Sequence, residues 1–165
     1  MTTVTLKKTG LIIAAALILT ALALTGCGSK ETKMTDEQLQ DFGQRYTDAW
    51  CSQDPTNVAS FFAENGSLKI NDGAPSVGRE AITAAAASFM TSLPDLHLTM
   101  DGVGFEGDRA IYRWTLKGTN TGPGGTGRKV LVSGYEEWTF GPDGLVARSL
   151  GHFDAADYAR QLAGE

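Results

Sequence analysis

From Leu96 to Asp154 the chain reads almost without interruption as β-strand, and this constrains its fold more than any other feature. Leu96, Leu98 and Met100 alternate with His97, Thr99 and Asp101, the two-residue period of a half-buried strand. Gly107-Asp108 then turns the chain into Ala110–Leu116, and a glycine-rich connection, Gly118–Gly127, leads to a long strand over Lys129–Phe140. Gly141-Pro142-Asp143-Gly144 is a tight turn before a last strand over Leu145–Phe153. Strands joined by such short connections pair antiparallel, and a sheet of this size needs something to cover it.

The cover comes from the segment before it. Thr35-Asp36-Glu37-Gln38 opens a helix: Thr35 can cap, Gln38 stands three residues on, and two acids fall in the first turn. Leu39, Phe42, Tyr46 and Ala49/Trp50 recur at helical spacing, and Ser52-Gln53-Asp54-Pro55 ends the run. Asp54 and Pro55 start a second, short helix expected to carry Val58, Phe61 and Phe62. Asn65-Gly66 reads as a turn, Ser67–Ile70 as a short strand and Asn71–Gly78 as a loop. Arg79–Ser92, with its alanine run and Ile82, Phe89 and Met90, is a third helix, stopped at Leu93-Pro94-Asp95. Ala155–Leu162 is a terminal one. The expected class is α+β, a curved sheet wrapped on N-terminal helices.

The first 26 residues stand apart. Lys7 and Lys8 precede an apolar run, Leu11–Leu24, too short for a permanent membrane span but of the length of a signal-peptide core. Leu24-Thr25-Gly26-Cys27 resembles the bacterial lipobox, with small side chains before the scissile bond and a thiol free to accept lipid. Residues 1–26 are therefore expected to be a lipoprotein signal peptide, and 27–34 a polar tether. Cys27 is the expected lipidation site, its acyl chains such as palmitate holding the protein to a membrane outside the cytoplasm. Gly28 is not the Asp that resembles an inner-membrane retention signal, which favours an outer membrane in a cell that has one.

Residues 35–165 are one domain's worth of chain, enough to bury a core. The formal charge is −5, and −7 without residues 1–26 (12 basic against 19 acidic). No basic stripe is present, so nucleic acid is not an expected partner. With Cys27 acylated, Cys51 is the remaining thiol, expected as a small buried hydrophobe. There is no CxxC and no Cys/His set, so neither metal nor cofactor is expected, and Gly118–Gly127 lacks the GK[ST] ending of a phosphate loop.

A series of short motifs, in order, resembles a known family. It runs Asp48-x-Trp50, Asp54, Phe61-Phe62-Ala63-Glu64-Asn65-Gly66, Gly78-Arg79-Glu80-Ala81-Ile82 and Pro94-Asp95-Leu96. It continues through Gly107-Asp108-Arg109, Arg113-Trp114, Gly118-Thr119-Asn120-x-Gly122, Thr126-Gly127-Arg128, Asp143-Gly144-Leu145-Val146, Phe153-Asp154 and Gln161-Leu162. Over residues 36–163 the chain resembles a SnoaL-like domain of the nuclear transport factor 2-like superfamily. That resemblance implies a cone of curved antiparallel sheet closed by three N-terminal helices around a mostly apolar pocket. It also implies a choice of activities, since relatives include polyketide cyclases, isomerases, dehydratases and simple binders, and fold does not fix function. In the cyclases an acid on the last strand exchanges the proton. Here the often acidic position three before Asp154 is Gly151, and the usual aromatic before it is Leu150.

Two acids are catalytic candidates. Asp154, at the expected cone mouth, could exchange a proton with a substrate enol, or simply cap the helix at Ala155. Glu136 shares strand parity with Val130, Val132, Trp138 and Phe140, which would turn it inward; if Leu131 and Tyr135 mark the inner face it is solvated instead. The candidate pocket residues are Tyr46, Trp50, Phe89, Arg113, Trp114 and Trp138, the aromatics lining or filling the hollow and Arg113 pairing with an acid or standing on the surface. Apolar residues on both parities of one strand also point to a homodimer through the sheet face. Three functions remain open: capture of a small apolar or aromatic molecule, cofactor-free acid/base isomerase or cyclase chemistry, and a protein-interaction domain with a vestigial pocket.

Overall fold

A computed structural model describes residues 1–2 and 34–163. Beyond its first two residues, the signal segment lies outside the described residues, as do Cys27 and the tether to residue 33. The chain separates into two units, Met1–Lys30 and Glu31–Glu165, and the second carries everything that follows.

Helix α1, Asp36–Cys51, begins with a reciprocal cap: Gln38 N–H donates to Thr35 Oγ1 (3.2 Å) and Thr35 N–H to Gln38 Oε1 (2.9 Å). It buries Leu39, Phe42, Gly43, Tyr46, Thr47, Ala49 and Trp50. Helix α2, Pro55–Ala59, starts at Asp54, whose carboxylate accepts from Thr56 N–H at 2.9 Å. It stops earlier than its sequence indicates. Phe61 and Phe62 are not on it; Phe62 opens strand β1, Phe62–Ile70.

Asn65-Gly66 is not a turn between elements but an irregularity inside β1, whose register shifts between Phe62 and Ser67. A Cβ on Gly66 would lie 2.7 Å from the Val146 carbonyl oxygen, so glycine is what admits the neighbouring backbone. A two-residue strand, β2 (Ser76–Val77), interrupts the expected loop, and α3 spans Arg79–Ser92 as its alanine run indicates.

Four long strands follow: β3 (His97–Glu106), β4 (Arg109–Thr119), β5 (Lys129–Phe140) and β6 (Val146–Phe153), then α4 (Ala155–Ala163). The sheet order is β2-β1-β6-β5-β4-β3. The pairings from β3 to β6 are antiparallel, but β1 lies parallel to β6, so the sheet is mixed rather than wholly antiparallel. Register shifts at Met100/Gly102 and Thr139/Phe140 mark bulges, which bend strands and curve the sheet around α1. Lys129–Ser133 of β5 extends past its pairing with β6. There the Gln161 side chain of α4 replaces a strand, accepting from Leu131 N–H (2.7 Å) and donating to Leu131 O (2.9 Å).

Aromatic rings fill the space between α1 and the sheet. Tyr112 stacks on Trp138 at 4.6 Å, while Tyr46 and Phe42 meet Trp138 edge-on at 5.1 and 5.5 Å. Each fully buried ring contributes roughly 1.5–3 kcal/mol of transfer free energy. Packing is close where α1 crosses β3: a Cβ on Gly43 would stand 2.8 Å from Met100 Sδ.

Candidate functional site

The aromatic packing stops short of filling the interior. A half-enclosed cavity of about 50 Å³ remains, lined by Trp50 of α1, Phe89 of α3, Leu68 and Ile70 of β1, Leu98 of β3, Trp114 and Leu116 of β4, Glu136 of β5, and Gly151 and Phe153 of β6. One water needs roughly 10–15 Å³ on this scale, so the space takes several waters or a ligand of a few heavy atoms. Trp114 is held by its cross-strand partner Gly134: a Cβ there would meet Trp114 Cζ2 at 2.6 Å and the His152 carbonyl at 2.4 Å.

Glu136 is the one ionisable side chain in this wall, and it is buried, 6% exposed. The inward parity with Trp138 and Val132 is therefore the correct one, and Leu131 and Tyr135 face out. The carboxyl is held by donors from three elements. Trp138 Nε1 (2.9 Å) and Ser149 Oγ (2.5 Å) both donate to Oε2. The Tyr46 hydroxyl reaches both oxygens, at 3.2 Å from Oε1 and 3.3 Å from Oε2. Oε2 is thus saturated, while Oε1 has only the long arm of Tyr46 and keeps acceptor capacity.

Burial pushes the Glu136 carboxyl above the usual carboxylate range, against the opposing pull of the Ser149, Trp138 and Tyr46 hydrogen bonds. Burial likewise drives the Tyr46 phenol well up, reinforced by Glu136. Tyr112 rises for the same leading reason, opposed by its 2.6 Å hydrogen bond with Thr47. Both phenols stay neutral and serve as hydrogen-bonding groups only.

The other candidates divide. Trp50, Phe89 and Trp114 line the cavity; Tyr46 and Trp138 do not, but stand behind the wall and position Glu136. Arg113 is outside: between inward Tyr112 and Trp114, it faces solvent and pairs with Glu106 at 3.1 Å. Its strand parity decides the matter. Asp154 is exposed and caps α4, accepting from Asp157 N–H at 2.8 Å. It borders a different, more open depression of about 430 Å³ with Lys69, Asn71, Asp72 and His152, and shares with the cavity only Phe153.

Three contributors are not among the candidate site residues that the sequence offered. Ser149 is fully buried and holds Oε2. Phe153 closes the aromatic lining. Gly151 is the direct cross-strand partner of Glu136, at 3.7 Å from Glu136 Cγ if given a Cβ. One of the two last-strand positions at which the resemblance allows an acid thus lies opposite Glu136, which brings a carboxylate into the same wall from the next strand. Cys51 is half-buried rather than buried, with Sγ 3.8 Å from His97 Nδ1 and accepting from Leu98 N–H at 3.3 Å. Among the described residues no group of three His, Cys, Asp or Glu side chains could hold a metal.

A family model described as a SnoaL-like domain matches residues 44–149. Among solved structures, TsrD from Streptomyces laurentii is 26% identical, with a TM-score of 0.69 over 81% of this chain and 100% of that one. A protein of ketosteroid isomerase-like fold from Catenulispora acidiphila, determined in complex with trimethylamine, is 17% identical, TM-score 0.66, covering 74% of this chain and 92% of its own. An NTF2-like protein from Burkholderia pseudomallei is 19% identical, TM-score 0.64, over 74% and 95%. No curated protein matches the sequence.

Proposed function

This chain belongs to the SnoaL-like domain family, and from that premise we propose that it is a lipid-anchored, extracytoplasmic binder of a small, largely apolar molecule. One observation carries the reading: the half-enclosed cavity, carbon-lined except for a single buried carboxyl. Pockets of this make-up bind through apolar contact and take orientation from a few polar groups. That a relative of the same fold was determined with a small amine supports a ligand of this size. The test is calorimetry and thermal melting of purified protein against small hydrophobic ligands, with the cavity-filling variant Gly151→Leu as control. Ligands that raise the wild-type melting temperature, and that of Gly151→Leu not at all, are expected. Equal shifts in both would refute the cavity as the site.

The anchor is the second half of this reading. Residues 1–26 direct export and Cys27 takes the lipid; metabolic labelling with an alkynyl palmitate should mark the wild type and not Cys27→Ser. A homodimer through the outer sheet face is part of the proposal, supported by the exposure of Leu131 (61%) and Tyr135 (40%). Light scattering that shows only monomer at micromolar concentration would remove it.

An acid/base isomerase or cyclase reading has one observation in its favour. The raised carboxyl of Glu136 stands where a bound molecule would meet it. On that reading Glu136→Gln abolishes turnover while Asp154→Asn retains it.

A further inference from the structure

We propose that the molecule this cavity receives is a small alkylammonium ion, with Glu136 as its counter-ion and Trp50, Phe89, Trp114 and Phe153 as its aromatic enclosure. The inference deepens the binding reading above and rests on it. Its first support is a buried acid with no counter-charge. Glu136 is buried, yet among the described residues it enters no ion pair; its contacts are the neutral donors Tyr46, Trp138 and Ser149. A buried carboxylate without a counter-charge is costly, and a cationic guest supplies one.

The second support is the lining. Four of the ten residues around the cavity are aromatic, brought from α1, α3, β4 and β6 to surround one space. An aromatic enclosure attracts a diffuse cation through the ring quadrupole and its methyl groups through apolar contact. The indole Nε1 atoms of Trp50 and Trp114 are themselves buried, so these rings offer carbon to the cavity. The third is the distribution of donors. Trp138, Ser149 and Tyr46 all spend their protons on Glu136, and Oε1 retains room for a donor from a guest. An N–H of a tertiary ammonium fits there; a quaternary one is held by charge alone. A half-enclosed cavity of about 50 Å³ sets the size of the enclosed part at a few heavy atoms, a trimethylammonium head, with any longer arm left at the open side.

Choline and 3,3-dimethylbutan-1-ol share a shape and differ by one charge, so the pair isolates the cation. Binding is read from the emission of Trp50 and Trp114 and from calorimetry on the purified protein. Choline is expected to bind about tenfold more tightly than the alcohol at mildly basic pH. Glu136→Gln, checked for folding by its melting curve, should erase that preference. Equal or tighter binding of the alcohol overturns the cation and leaves the cavity reading standing; binding of neither overturns both. A preference that survives in Glu136→Gln removes the counter-ion.

If that variant does not fold, the wild-type pH profile decides. The titratable groups facing Glu136 are the phenols of Tyr46 and Tyr112, both raised and neutral. Choline affinity should therefore climb with pH as Glu136 alone gives up its proton, while the alcohol's stays level. A flat choline profile refutes the proposal.

Discussion

Adding a single methyl group at two glycines of the same sheet should move stability in opposite directions. At Gly151 the nearest atoms to a new Cβ are the Lys69 carbonyl oxygen at 3.6 Å, Glu136 Cγ at 3.7 Å and Ile70 Cγ1 at 3.9 Å, all ordinary contacts. The residue sits in a strand with no positive φ, so alanine adopts its backbone without strain. Restricting the unfolded chain contributes about 0.4–1 kcal/mol. Burying one methyl contributes about 0.8 kcal/mol more. Gly151→Ala should thus gain about 1–2 kcal/mol, which for a domain of this size raises Tm by roughly 3–8 °C. At Gly134 the same methyl would meet the His152 carbonyl at 2.4 Å and Trp114 Cζ2 at 2.6 Å. One obstacle is backbone and the other a packed ring, so Gly134→Ala should lose roughly 1–3 kcal/mol. Circular dichroism melts and urea titrations of the two variants provide the measurement. A Gly151→Ala protein that melts at or below wild type refutes the idea that the cavity has unused room beside Glu136.

Stability should also depend on pH through Glu136. Its folded-state pKa is raised, so the folded protein holds that proton more tightly than the unfolded chain. The associated stability is present in acid and is lost as pH climbs from the ordinary carboxylate range through the raised value. Urea midpoints of Glu136→Gln should lack this decline. Ser149→Ala removes a buried donor to Oε2 and should cost roughly 1.5–3 kcal/mol where Glu136 is ionised, seen as a lower urea midpoint than wild type. Asp154→Ala removes the α4 cap and should cost about 1 kcal/mol in a thermal melt, with ligand affinity unchanged. A loss of ligand affinity there would return Asp154 to the site.

How much of this was legible in the sequence depended on whether a feature is local. The caps at Thr35 and Asp54, the alanine run of α3 and the alternation of β3 are written in adjacent residues, and those elements begin where expected, although α2 stops short of Phe61. Strand β1 was half missed because Asn65-Gly66 carries the chemistry of a turn. Its reason for being glycine is instead the Val146 carbonyl of a strand some eighty residues away. The parallel β1–β6 pairing has no local signature either. Arg113 is a different case: it was a pocket candidate, yet alternation with Tyr112 and Trp114 turns it outward, and its acid partner is Glu106 on the outer surface.

Glu136 marks the limit of what parity can say. A period of two ties Glu136 to Val132 and Trp138, but does not say which face of the strand is inside. The facing strands decide it: Tyr112 opposite Glu136 on one side and Gly151 on the other, both inward and both buried. The glycine leaves the space beside Glu136 open. A Cβ at 151 would stand in ordinary contact with Glu136 Cγ, and a large side chain would go on to fill that space. An acid at 136 and the absence of a side chain at 151 are therefore one arrangement, not a lost group and an unrelated carboxylate. On this argument Gly151→Asp would not restore chemistry. It would set two carboxyls side by side in a wall with no cation, drive one to hold its proton, and weaken the fold.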